Sequence, residues 1–194
     1  QCEACFSALK RVGEVCLLSI GAHLNSNIPS RAGADKEAKK GWKAYWENLS
    51  SGCSPTDAPM ASSLLDIFRY YKASSVCDAK ESCGNHVDHG LLTLVPRALG
   101  VAGLEVYSWS SWDWVAVESL AKSQNECVVF AGESLPLTTD GWILPANHRV
   151  VVRAEAHKEA TAQREADTKT SRISTPFLLF ANPKRILKAT HAGL

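Results

Sequence analysis

From the first residues of the chain, apolar side chains recur at helical spacing: Phe6, Leu9, Val12, Cys16 and Ile20. The spacing predicts one amphipathic helix over Cys5–Ile20, ended by Gly21 and the run Asn25-Ser26-Asn27-Ile28-Pro29. Residues 31 to 62 are polar and mixed, carry Pro55 and Pro59, and read as a loop-rich connector with a short helix around Lys36–Trp46. Beyond residue 62 the period shortens. Runs of strand composition follow at Leu64–Tyr71, Leu91–Val95, Leu104–Tyr107, Trp114–Val117, Cys127–Ala131, Arg149–Arg153 and Arg172–Phe180, separated by Gly, Pro, Ser and Asn turns. Short strands behind a single long helix predict a mainly β domain, a sandwich or jelly roll carrying an N-terminal helix. The chain accordingly divides into an N-terminal helical segment and connector, 1–60, and a β domain, 61–194.

Composition narrows the function classes. Lys plus Arg is 21 and Asp plus Glu is 20, a formal charge of +1, so no strong field draws nucleic acid or an anionic membrane. No apolar run approaches the roughly 20 residues that span a bilayer. The seven cysteines, at 2, 5, 16, 53, 77, 83 and 127, are odd in number and lack a compact framework spacing. Cys5 and Cys16 fall on the apolar side of the helical pattern and Cys127 opens an apolar run, so they read as buried free thiols in a reducing, cytoplasmic compartment.

The stretch that can carry chemistry is His86-Val87-Asp88-His89-Gly90-Leu91-Leu92-Thr93-Leu94-Val95. On an extended backbone residues two apart project to one side, so His86 and Asp88 present an imidazole and a carboxylate together. His148, opening the run His148-Arg149-Val150-Val151-Val152, is the candidate third ligand. Two histidines and one carboxylate on one face of a metal leave its other positions open, as in non-heme Fe(II) oxygenases. A His-X-Asp triplet alone is weak; by itself it reads as a solvated turn.

The order of the surrounding features changes that reading. A strand ends in the aromatic pair Tyr70-Tyr71, and a Cys83-Gly84-Asn85 turn leads into the His86-X-Asp88 triplet. Gly103–Tyr107, Trp112–Val115, Val128–Glu133, His148–Val150 and Arg172-Ile173-Ser174-Thr175-Pro176-Phe177 come next along the chain. Over roughly residues 62 to 185, this series resembles the Fe(II)/2-oxoglutarate-dependent dioxygenase family, in its isopenicillin-N-synthase-like branch. The resemblance implies a double-stranded β-helix, a variety of jelly roll, and an enzyme oxidising a small organic molecule with release of succinate and carbon dioxide. It implies Fe(II) held by His86, Asp88 and His148, and 2-oxoglutarate and dioxygen as cosubstrates. Arg172 and Ser174 match the family's Arg-X-Ser motif, which grips the distal carboxylate of 2-oxoglutarate; a guanidinium fork suits that task, and residues 172 and 174 share a strand face. Tyr71 matches a position where many members place a hydroxyl near the bound cosubstrate or substrate.

The chain departs from the family at three places. Arg69-Tyr70-Tyr71-Lys72 stands where members commonly have Asn-Tyr-Tyr-Pro, the segment between His148 and Arg172 is longer than usual, and the N-terminal helical region is shorter. The extra segment, residues 154 to 170, is charge-dense and lacks large apolar side chains, which predicts a projecting hairpin or short helix at the pocket mouth. Two other readings of the fold's chemistry stand beside the dioxygenase: a non-catalytic binding or scaffold member, and an iron oxidase that does not use 2-oxoglutarate. Cys77, Cys83 and His86 could form part of a zinc site, but no second Cys/His pair completes it. His89 should point away from Asp88 to the surface, His23, His157 and His191 read as solvated, and Trp109, Trp112 and Trp114 read as packing around a turn.

Overall fold

The N-terminal pattern folds as one helix, α1 (Cys2–Asn27), that runs past the predicted stop. The computed structural model describes residues 2–27, 63–70, 80–123, 125–139, 141–152 and 172–181. The buried stripe of α1 is Phe6, Leu9, Gly13, Leu17, Gly21 and Leu24, a regular three-to-four spacing. Val12, which the sequence places on the apolar face, is exposed, as is Cys5, so Cys5 is not the buried thiol expected. Cys16 and Cys127 are half-buried. Gly21 does not end the helix. A mid-helix glycine costs about 1 kcal/mol relative to alanine, which a packed face outweighs, and a small residue lets the helix approach the sheet. At Gly13 the contact is already close: a Cβ there would lie 3.0 Å from Leu179 Cδ2 and 3.3 Å from Leu94 Cδ1.

The strands are β1 (Leu64–Leu65), β2 (Phe68–Tyr70), β3 (Lys80–His86), β4 (Leu92–Pro96), β5 (Leu99–Gly100) and β6 (Leu104–Ser108). They continue as β7 (Asp113–Ala116), β8 (Cys127–Ala131), β9 (His148–Val152), β10 (Arg172–Ser174) and β11 (Phe177–Leu179). All pair antiparallel, in sheets of order β1-β11-β4-β8, β2-β10-β5 and β3-β9-β6-β7. The first two sheets share three chain segments, β1–β2, β4–β5 and β10–β11, each broken at the same level. The runs Leu64–Tyr71 and Arg172–Phe180 are thus each two strands rather than one. Pro176 sits in one break and Pro96 precedes another, where a missing N–H interrupts the ladder.

Two strands leave no mark in the hydrophobic pattern. β5 is too short to show one, and β3 (KESCGNH) has no apolar alternation and two register irregularities against β9. Its partner β9 supplies the apolar residues that hold the pair in place.

One core cluster joins α1 to β4 and β11, with Phe6 edge-on to Phe177 at 5.1 Å between ring centroids. A second cluster lies between the sheets: Val95, Leu104, Phe130 and Val150, with Tyr70, Cys83, Val117 and Val128 packed against it. Its members come from strands of all three sheets, so the sheets face one another across it. The architecture is a jelly roll with an N-terminal helix, as the sequence predicts. Trp109 and Trp112 lie in the β6–β7 turn and stack edge-to-face with each other, and Tyr107 packs on Trp109 and Trp114. The predicted short helix around Lys36–Trp46, Tyr71, Cys77, His157, His191 and the 154–170 segment lie outside the described residues. Among the described residues no helix is long and apolar enough to cross a membrane.

Candidate metal centre and a buried arginine

His86 ends β3 and His148 opens β9, and the antiparallel ladder sets them directly opposite each other. Cross-strand partners point to the same face with neighbouring Cβ atoms, and the two imidazoles lie 4.2 Å apart between centroids. Asp88, in the loop just past β3, brings Oδ1 to 3.5 Å from His86 Nε2 and 3.7 Å from His148 Nε2. Ligand atoms of the three residues all lie within 4.8 Å of one another, the one such group among the described residues. The loop and the two strand ends therefore unite the three side chains singled out by sequence.

Hydrogen bonds on the far sides fix how these groups face inward. His86 Nδ1 lies 2.7 Å from the Gly84 carbonyl and His148 Nδ1 3.2 Å from the Ala146 carbonyl. A carbonyl can only accept, so each Nδ1 donates to it and each ring turns its Nε2 towards Asp88. Thr93 Oγ1, on β4, donates to Asp88 Oδ2 at 2.5 Å and leaves Oδ1 facing the imidazoles. Burial pushes the His148 pKa below its ordinary 6.5, with His86 adding to the effect, against the opposing pulls of Asp88 and the Ala146 carbonyl. The buried imidazole is thus neutral at pH 7, the form that binds metal. Phe130 packs over it at 4.5 Å between centroids.

The Asp88 loop is clamped to the end of β8. Glu133 N–H donates to the Asp88 carbonyl, Gly132 N–H to Leu91 and Ser134 N–H to Gly90. A Cβ on Gly132 would lie 2.1 Å from the Gly90 carbonyl oxygen, so the approach requires glycine. His89 points outward as expected and donates from Nδ1 to Glu133 Oε1.

Arg172 and Ser174 are both buried on one face of β10, matching the predicted alternation. The guanidinium, however, is met by an unpredicted partner. Its Nη1 donates to Glu118 Oε1 at 2.9 Å and Oε2 at 2.7 Å, and lies 3.4 Å from the Val101 carbonyl. Nη2 reaches Ser174 Oγ at 3.4 Å, and the buried Nε has no hydrogen-bond partner among the described residues. Glu118 projects from a 3-10 turn (Val117–Leu120) and also accepts the N–H groups of Gly103 and Leu104. The Tyr70 ring lies 5.7 Å from the guanidinium carbon. Burial, Cys83 and Glu118 raise the Tyr70 pKa, while Arg172 opposes them. Cys83 Sγ in turn lies 3.9 Å from His86 Nδ1, and Tyr70 and Cys83 both pack against the second core cluster.

Sequence reasoning misses Thr93, Tyr70 and Glu118 as parts of these sites. Thr93 stands inside the His86–Val95 motif, but its five-residue offset from Asp88 obeys no strand period; the turn at 89–91 closes it. Glu118, in Val117-Glu118-Ser119-Leu120, carries no local sign of burial.

No protein-family model and no curated protein sequence matches the chain. Solved structures do. A full-length Neurospora crassa protein in complex with alpha-KG superposes with TM-score 0.62 at 20% identity over 97% of this chain and 48% of its own. A further structure of that protein contains alpha-KG and thymine. The dioxygenase for auxin oxidation from rice matches with TM-score 0.52 at 21% identity, over 82% of this chain and 53% of its own. The dioxygenase for auxin oxidation 1 from Arabidopsis thaliana, as its 2-oxoglutarate complex, gives TM-score 0.50 at 24% identity, over 65% of this chain and 41% of its own. The likeness is one of fold, and the chain spans about half the length of these structures.

Proposed function

We propose that this chain forms the core of an Fe(II)- and 2-oxoglutarate-dependent dioxygenase that oxidises a small organic molecule. The observation that carries the reading is the convergence of His86, Asp88 and His148, with both Nε2 atoms and one carboxylate oxygen turned to a common point. Two imidazoles and one carboxylate, at two paired strand ends and the adjoining loop, suit a divalent first-row metal and leave part of its coordination open. Fold neighbours in complex with alpha-KG or 2-oxoglutarate support the same assignment. The residues fit the cosubstrate as well: the buried Arg172 Nε lacks a partner, and Ser174 Oγ lies beside the guanidinium.

In this reading His86, Asp88 and His148 hold the iron, and Arg172 and Ser174 take the distal carboxylate of 2-oxoglutarate, with Tyr71 as a further candidate contact. With dioxygen as the oxidant, bound iron and keto acid together would supply the oxidation of an unactivated C–H bond, with succinate and carbon dioxide released. The protein's own residues prepare that chemistry. The Gly84 and Ala146 carbonyls fix the imidazole tautomers, Thr93 orients Asp88, and Phe130 and the apolar cluster shield His148 from water. The substrate is small by analogy with the thymine complex of the Neurospora protein. Four free cysteines among the described residues agree with a cytoplasmic setting. Residues 1–60 and 61–194 are assigned as helical segment with connector and catalytic β domain.

The Arg172–Glu118 ion pair favours one second reading, an iron oxidase that does not need 2-oxoglutarate. One experiment addresses both. Anaerobic addition of Fe(II) and then 2-oxoglutarate should develop the weak visible metal-to-ligand charge-transfer band, and dioxygen uptake should depend on keto acid. Fe(II) binding with no such band and keto-acid-independent uptake would favour the oxidase; failure to bind Fe(II) would remove the enzyme assignment.

A further inference from the structure

Arg172 is matched in charge but not in hydrogen bonds. Glu118 engages it through Nη1 alone, while Nε has no partner and Nη2 makes only a 3.4 Å contact to Ser174 Oγ. The Nε–Nη2 edge is the one that pairs with two acceptor oxygens side by side. It is buried, and Arg172 is the one lysine or arginine among the buried described residues. Arg97 shares with Glu118 the wall of a cavity of about 180 Å³ but is itself solvent-exposed. A carboxylate placed on the free edge would therefore share a single buried cation with Glu118, and one negative charge would remain uncompensated.

Resting on the dioxygenase reading above, we propose that Glu118 determines cosubstrate selectivity. By neutralising Arg172 within the protein, it makes the buried guanidinium recognise a keto-acid tail through its hydrogen-bond acceptors rather than its charge. A 2-oxo acid with a neutral, acceptor-bearing tail is then taken nearly as well as 2-oxoglutarate. Glu118 acts through Arg172 and is a positioning residue. Its backbone bonds from Gly103 and Leu104 hold it, and it holds Nη1 so that Nε and Nη2 face the ligand.

The test is an anaerobic titration of the Fe(II)-loaded protein, by calorimetry and the charge-transfer band, with two ligands. One is 2-oxoglutarate; the other is 2,5-dioxohexanoate, in which a methyl ketone of similar shape replaces the distal carboxylate. Wild type should bind the two within about tenfold of each other, a difference of no more than about 1.4 kcal/mol. Glu118→Gln keeps an acceptor for Nη1 but frees the charge of Arg172, and should shift the preference towards 2-oxoglutarate by at least about tenfold. A wild-type preference for 2-oxoglutarate well beyond tenfold overturns the proposal, as does an unchanged ratio in Glu118→Gln. Should that variant not fold, the wild-type ratio decides alone. If the loaded protein binds neither keto acid, the dioxygenase reading falls and this proposal with it; binding in the wrong ratio overturns the proposal only.

Discussion

At the triad, two imidazoles and one carboxylate turn nitrogen and oxygen atoms inward, each group held by a hydrogen bond on its far side. At Arg172, a cation is already matched by a carboxylate inside the same protein, and backbone N–H groups hold that carboxylate in turn. The first arrangement concentrates negative potential that only a cation satisfies. The second is electrostatically complete without a ligand. On the proposed function their side chains have different duties: those of the triad would chiefly bind, whereas the Arg172–Glu118 pair also ties β10 to the 3-10 turn after β7 and so supports the fold.

The largest effect should come from breaking the pair from one side. Arg172→Met leaves Glu118 buried without a counter-ion and should destabilise the protein by about 3–5 kcal/mol in denaturant unfolding. Adding Glu118→Gln should recover part of that loss, because the stranded charge goes with it. A single variant as stable as wild type would erase the contrast between the two ends.

Breaking the triad should act on binding instead. His148→Ala removes a ligand rather than a supporting group, so Fe(II) affinity should fall by more than about 100-fold, beyond the usual loss for an outer partner. Its unfolding free energy should change less than that of Arg172→Met. If the order is reversed, with stability lost and Fe(II) affinity kept, His148 is a core residue rather than a ligand.

A smaller effect separates ligand from support within the triad. Thr93→Val keeps the shape of the side chain but removes the hydroxyl that holds Asp88 Oδ2. Fe(II) affinity should drop about 10-fold, the low end of the range for second contacts to metal ligands. An unaltered affinity in metal titration would show that the Gly132–Ser134 clamp on the loop orients Asp88 unaided.

The smallest effect is that of pH. His148 has a pKa below 6.5 when folded because burial disfavours the imidazolium. Below pH 6.5 the unfolded chain therefore takes up a proton at this site before the folded one does. That contribution to stability is complete above 6.5 and declines as the pH falls beneath it. In metal-free protein, His148→Gln should flatten this part of the unfolding profile between pH 7 and 5. An identical profile would show that His148 titrates normally and that its burial does not control its charge.

How much of the fold is legible in the chain depends on the range of each signal. The amphipathic period of α1 and the runs at 104–107 and 127–131 are readable, because helix and strand periods are local. Gly21 misleads as a helix stop, because its low propensity is outweighed by the burial of the helix face it lies on. β3 is invisible, since its polar residues are held by β9 rather than by any pattern of their own.

For the site, the order of amino acids alone settles which side chains are available: His86 and Asp88 two apart, His148 opening an apolar run, and Arg172 and Ser174 on one strand face. Which of them meet is a matter of tertiary packing. There β3 and β9 pair with His86 opposite His148, Thr93 bends back onto Asp88, and Glu118 reaches Arg172 from 54 positions away in the chain. Alternation fixes which face a side chain takes, whereas charge pairing in a core depends on which faces are brought together. A glutamate in Val117-Glu118-Ser119-Leu120 has the local signature of a surface residue, and it becomes a buried counter-ion only when a guanidinium arrives from another sheet.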